Sequence, residues 1–88
     1  MEFYEVSLKY SAEQDLRNID HQYIPKIIQV IESLKDNPFP LQSRKLRGSE
    51  NFYRIRIGNY RIIYKVDVKE KMIIIFYIRH RKDAYKNL

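Results

Sequence analysis

The sequence predicts a single α+β domain over residues 1–88, ordered β-α-α-β-β-β, with an antiparallel twisted sheet and a helical hairpin packed on one of its faces. Three observations lead there. Tyr4, Val6, Leu8 and Tyr10 alternate with polar residues, the period of a half-buried strand. Ile24, Ile27, Ile28, Ile31 and Leu34 fall at helical spacing and form one apolar stripe. Beyond residue 52, arginines alternate with apolar residues on either side of Gly58-Asn59, a pair suited to the tight turn of a β-hairpin.

Taken in order, the first strand covers residues 4–10. Ser11 followed by Gln14 has the spacing of a capping box, so a short helix is expected from Ser11 to about Ile19. Asp20-His21 interrupts it. The second helix carries the isoleucine stripe to Leu34 and tolerates Pro25, because a first-turn N–H has no intrahelical partner to lose. Asn37-Pro38-Phe39-Pro40 ends it, since proline cannot continue a helix and restricts the residue before it. Leu41 to Asn51 is a polar, basic connector. Three strands follow at about 52–57, 60–68 and 72–79, the last two joined through Lys69-Glu70-Lys71. A chain of this size buries only roughly 60–65% of its unfolded surface, enough for one thin core.

The hairpin register assigns the faces. A two-residue loop pairs Ile57 with Tyr60, Arg56 with Arg61 and Ile55 with Ile62, and directly opposite side chains share a face. Tyr53, Ile55, Ile57, Tyr60, Ile62 and Tyr64 then form the apolar face for the helices to cover. Arg54, Arg56 and Arg61 fall on the other, beside Ile63 and Lys65. A three-residue second loop would set Arg79 opposite Arg61, and a one-residue change in it would turn Arg79 away. Arg56 opposite Arg61 is a like-charge pair, unfavourable by a few tenths to about 1 kcal/mol. Such a face is either a solvated surface, with arginine stems covering apolar sheet, or an anion site.

Charge is divided along the chain. Up to Ser43 there are 4 basic against 7 acidic residues, net −3; from Arg44 on there are 13 against 4, net +9. A polyanion is the natural partner for that second half. The chain has no cysteine, so disulfides and thiolate metal sites are excluded, which fits a reducing cytoplasm. His21 and His80 are too few and too scattered for a zinc site, and no metal or cofactor is expected. The longest apolar run, Met72 to Ile78, is far short of a membrane span, and the first residues show no basic region or apolar stretch of a signal peptide. A cytoplasmic protein without membrane contact is expected.

Four blocks, Lys45-Leu46-Arg47-Gly48, Tyr53-Arg54-Ile55-Arg56, Gly58-Asn59-Tyr60-Arg61-Ile62-Ile63-Tyr64 and His80-Arg81-Lys82-Asp83-Ala84-Tyr85, stand in an order that resembles the RelE/ParE toxin superfamily of prokaryotic type II toxin–antitoxin systems. The resemblance covers essentially the whole chain. It implies one of two activities. RelE-type toxins are ribosome-dependent mRNA endonucleases that promote attack of a nucleotide's 2′-hydroxyl on the adjacent phosphate, without metal, and so inhibit translation. ParE-type toxins inhibit DNA gyrase without nuclease activity. A third expectation is an inactive module that still binds antitoxin. Both toxin types are held inactive by an antitoxin that wraps them, here expected to present an acidic segment, and they reach operator DNA only through it.

By the same resemblance, Arg54 and Arg56 occupy positions where RelE enzymes carry lysines, Arg61 matches a phosphate-stabilising arginine, and Arg81 matches the arginine that assists the leaving group. Tyr85 matches a tyrosine that stacks on a substrate base, and His80 has counterparts that act as acid or base. Lys45, Arg47, Lys65, Arg79 and Lys82 are candidate RNA-backbone contacts. Arginine at 54 and 56 is a departure with a chemical consequence. A guanidinium holds its proton above about pH 12, so it clamps phosphate well but accepts protons poorly. His80, as an imidazole, is the candidate for proton transfer.

Overall fold

The computed structural model describes residues 3–80; Arg81, Lys82 and Tyr85 lie outside the described residues. The elements run β1 (Glu5–Leu8), α1 (Tyr10–Arg17), a 3-10 turn (His21–Tyr23), α2 (Ile24–Ser33), β2 (Ser43–Lys45), β3 (Phe52–Ile57), β4 (Tyr60–Asp67) and β5 (Met72–His80). Pro25 sits in the first turn of α2, where its missing N–H costs nothing. The strands form one sheet in the order β1-β5-β4-β3-β2.

The sheet differs from the expected one in two respects. It is mixed rather than wholly antiparallel, because β1 lies parallel to β5, with Val6 beside Ile73 and Leu8 beside Ile75. Both strands are amphipathic or apolar, so side-chain alternation fixes their faces but carries nothing about the relative direction of strands so far apart in the chain. The basic connector also contributes β2, which pairs antiparallel with β3 as Ser43 to Ile55 and Lys45 to Tyr53. Three residues at a sheet edge are too few for alternation to reveal.

Helices α1 and α2 cover one face. Ala12, Ile27, Val30, Ile31 and Leu34 pack there against Ile55, Ile57, Ile62, Tyr64, Val66, Ile73, Ile75 and Ile78. The apolar face expected for the hairpin is therefore the one the helices bury, with Tyr53 and Tyr60 at its margins. Gly58 opens the β3–β4 turn at φ +58°, and no positive φ is found at Asn59, the pattern of a type II′ turn. A Cβ on Gly58 would also lie 3.2 Å from the Tyr23 ring.

The β4–β5 register contains a compensation. Asp67 pairs with Met72, so the loop holds four residues rather than three. Left alone, that change would rotate every later β5 side chain to the opposite face. A bulge restores it: Tyr64 pairs with Ile75 but Ile63 with Tyr77, leaving Phe76 as the extra residue, and Arg61 meets Arg79 as expected.

Helix α1 starts differently from the expected capping box. Its N-cap is Lys9, with no side-chain cap. Ser11 Oγ instead donates to the carbonyl of Phe76, and Asp15 Oδ2 accepts from the backbone N–H of Ile78 at 3.0 Å. The reason lies in the sheet. Strand β1 ends at Leu8, so the outer edge of β5 beyond Ile75 has unpaired backbone groups, and α1 supplies their partners.

Tyr64 anchors the connector. It is fully buried and its hydroxyl donates to the Pro38 carbonyl at 2.8 Å, tying the proline-rich bend to the sheet. Burial pushes its phenol up from 10.0 to about 12, opposed by a hydrogen bond with Ser43 and reinforced by Tyr53. The neutral form is favoured in the folded state, so stability is fully present below pH 10 and falls as pH rises from 10 towards 12. Urea melts at pH 9 and 12 should show the parent losing about 2 kcal/mol more than Tyr64→Phe, which has no phenol to ionise.

Candidate nucleic-acid interface

The face turned away from the helices carries the arginines in rows across the sheet. Strand pairing places Arg56, Arg61 and Arg79 side by side on β3, β4 and β5. Two residues further along, roughly 7 Å away, lies a row of Arg44, Arg54, Ile63 and Tyr77 across β2 to β5. The next row is Phe52, Lys65 and Ile74. Ile63 is 0% exposed although it lies on this outer face, so its neighbours roof it over; long arginine stems suit that task.

The guanidinium groups differ in how they are held. Arg79 Nε lies 3.3 Å from Asp15 Oδ2, and its guanidinium carbon sits 3.9 Å from the centre of the Tyr77 ring. Arg61 Nη1 donates to the carbonyl of Tyr60 at 3.3 Å. Arg44 Nη1 turns back to the carbonyls of Leu41 and Ser43, both at 3.0 Å. Among the described residues, Arg79 alone in the two arginine rows has a carboxylate partner. Three guanidinium groups abreast, two of them without a counter-ion from the described residues, can grip the oxygens of one phosphate or two adjacent phosphates with paired N–H donors.

The structure thus gathers Arg54, Arg56, Arg61, Lys65 and Arg79 on one face. His80 is turned to the opposite face from Arg54, Arg56 and Arg61, but borders a cleft together with Arg79. His80 pairs with Tyr60, shares the face of Ile78 and meets the Tyr60 ring edge-on at 5.8 Å. There it lines a cleft of about 380 Å³ with Asp15, Asn18, Ile19, Tyr60, Ile78 and Arg79, so the cleft runs from the helix side to the end of the arginine row. Lys45 likewise falls on the helix side of the edge strand, opposite Tyr53, and Arg47 is exposed in the turn after β2. Strand alternation applied to β5 from Arg79 is enough to place His80 on the other face; the tail block, a linear motif, carries no such information.

Two features of the interface lay outside the sequence reading. Arg44 joins the Arg54 row through the unrecognised strand β2. An aromatic group also lies on the basic face: Phe52 and Phe76 meet edge to face at 4.9 Å, Tyr77 is adjacent, and Lys9 Nζ stands 4.5 Å from the centre of the Phe76 ring. No signal short of the bulge itself would have put both Phe76 and Tyr77 on that side.

Comparisons with known proteins agree with this architecture. Residues 6–85 match the family described as the ParE toxin of the type II toxin–antitoxin system parDE. A Methanocaldococcus jannaschii relative bearing the name RelE1 is 39% identical, over 84% of this chain and 86% of its own length. Toxin RelE3 of the same organism is 34% identical, over 82% and 84%. Among solved structures, the archaeal RelE–RelB complex of Pyrococcus horikoshii superposes with a TM-score of 0.80 at 28% identity, covering 92% of this chain and 98% of that one. The isolated Escherichia coli RelE toxin shares the fold at a TM-score of 0.77 and 18% identity, over 88% and 83%. No helix among the described residues is long and apolar enough to cross a membrane. The chain belongs to the RelE/ParE family of toxins of type II toxin–antitoxin modules.

Proposed function

We propose that this toxin is a ribosome-dependent endonuclease that cleaves mRNA by attack of a 2′-hydroxyl on the neighbouring phosphate, needs no metal, and is neutralised by a cognate antitoxin covering the arginine face. The observation that carries this reading is the row of Arg56, Arg61 and Arg79 on the sheet face turned away from α1 and α2. Three adjacent cations lower stability, and a phosphate that gains charge during the reaction is what makes such a row useful. The resident of the face would be the scissile phosphate, with Arg54 and Lys65 on the flanking backbone. Arg81 and Tyr85 would complete the site from the tail.

In this reading proton transfer takes a different route from the one the resemblance implies. His80 pairs with Tyr60 while Arg56 and Arg61 lie on the other face, which supports a reading in which the arginines act through charge and the proton passes to water or ribosomal RNA. His80→Ala should therefore cleave within a few-fold of the parent in a purified translation system, far from the 10²-fold or greater loss that follows removal of a general base.

A second reading, inhibition of DNA gyrase without chemistry, draws support from the ParE description of the matching family. Primer-extension mapping of cellular mRNA after induction distinguishes the two. Cuts inside translated codons support the endonuclease. Intact transcripts together with DNA damage support the gyrase reading.

A further inference from the structure

We infer that Phe52, Phe76 and Tyr77, with Lys9 and Lys65 beside them, form a second subsite that stacks an unpaired base of single-stranded RNA next to the arginine row. The inference deepens the RNA-directed reading above and rests on it. Its origin is the bulge. In a regular strand, consecutive residues point to opposite faces, and only one of Phe76 and Tyr77 would lie on the basic side. The extra residue in β5 lets Phe76 meet Phe52 while Tyr77 stays in the Arg54 row.

Three properties of the cluster argue against a second small core. Phe52, Phe76 and Tyr77 are each only half-buried, and no helix among the described residues lies on their face of the sheet. Cations border them: Lys9 Nζ is 4.5 Å from the Phe76 ring centre, Arg79 lies 3.9 Å from that of Tyr77, and Lys65 is directly opposite Phe52. Aliphatic side chains would cover the sheet as well as these rings do. Aromatic surface interleaved with positive charge is the composition that suits nucleic acid, since the ring takes the base and the cation takes its phosphate. Four residues of strand separate Phe52 from Arg56, roughly 13 Å, which places the base seat within reach of one extended strand that also crosses the arginine row.

The test is equilibrium binding, by fluorescence anisotropy, of the purified full-length toxin to a labelled 2′-O-methyl oligoribonucleotide. This probe lacks the attacking hydroxyl, so binding is read apart from cleavage. A matched probe carries abasic sites, which keep the phosphates and remove the bases. The parent should bind the abasic probe about 5- to 100-fold more weakly. Phe52→Leu should lose a similar factor on the intact probe and little on the abasic one, with an unchanged salt dependence. Comparison of the two probes on the parent requires no variant, so misfolding of Phe52→Leu does not block the test. Equal affinity of the parent for both probes overturns the proposal. So does equal loss by Phe52→Leu on both, or a loss confined to antitoxin binding. Base-dependent binding alongside intact cellular mRNA would retain the subsite and reject the endonuclease reading, which keeps the two failures apart.

Discussion

Arg61→Ala should lower mRNA cleavage by about 10²- to 10³-fold, the loss that follows removal of one donor from a preorganised oxyanion site, while the protein stays folded. Arg61 is the middle member of its row, with Arg56 on one side and Arg79 on the other, so it is the guanidinium nearest to any phosphate that engages both neighbours. Its hydrogen bond to the described residues is a single 3.3 Å contact to the Tyr60 carbonyl, and it has no carboxylate partner among them. Removing it therefore leaves no buried charge unpaired. It also relieves two like-charge contacts across the sheet, each worth a few tenths to about 1 kcal/mol. The melting temperature should hold or rise slightly. Cleavage is read by primer extension in a purified translation system, and folding by a thermal melt. A collapse of cooperative melting would make Arg61 a structural residue, and full activity would remove the row from the chemistry. Arg61→Lys should recover only part of the rate, because an ammonium supplies charge without the paired donors of a guanidinium.

Most of the fold was legible because its elements carry strong periodic signals. The Ile24 to Leu34 stripe, the Gly58-Asn59 turn and the Arg/Ile alternation each had one sensible interpretation, and the structure has a helix, a type II′ turn and a hairpin there. Less legible were features decided by partners distant in sequence. The direction of β1 depends on where β5 lies, and three residues of β2 become a strand only because β3 offers an edge. Ser11 and Gln14 form a fair local cap, yet the Phe76 carbonyl competes for the serine hydroxyl because β1 stops short and exposes it. The site followed the same division. Register arithmetic grouped Arg54, Arg56 and Arg61 correctly. The placement of Arg79 came out as expected although the loop was one residue longer, since the bulge at Phe76 cancelled the difference. His80 was grouped with the arginines by a linear motif; strand alternation turns it to the face opposite Arg56 and Arg61, although it lines a cleft with Arg79.

The same surface sets the second large effect, on association with the antitoxin. If the partner presents an acidic segment to the face holding Arg54, Arg56 and Arg61, encounter is steered by long-range attraction to a half-chain of net +9. The association rate constant should then reach about 10⁸ M⁻¹s⁻¹ or more at low salt and fall towards 10⁵–10⁶ near 1 M, where the screening length shrinks to roughly 3 Å. Dissociation should change much less, because contacts already formed are short-range and partly sheltered from ions. Stopped-flow mixing of toxin and antitoxin across a salt series measures both. The paired variant Arg54→Gln with Arg56→Gln should flatten the salt dependence of association while leaving high-salt rates close to the parent's. Core packing is left intact by this choice, since Ile55 between the two arginines remains in the helix-covered core. Rates that do not respond to salt would show that the antitoxin docks away from the arginine face, for instance on the exposed Phe39 and Leu41 beside β2, and that the face is left open in the complex. The two outcomes also differ in consequence. An antitoxin seated on the arginines excludes RNA by occupying its site, so the complex should fail to bind the 2′-O-methyl probe; one seated elsewhere should leave that binding intact.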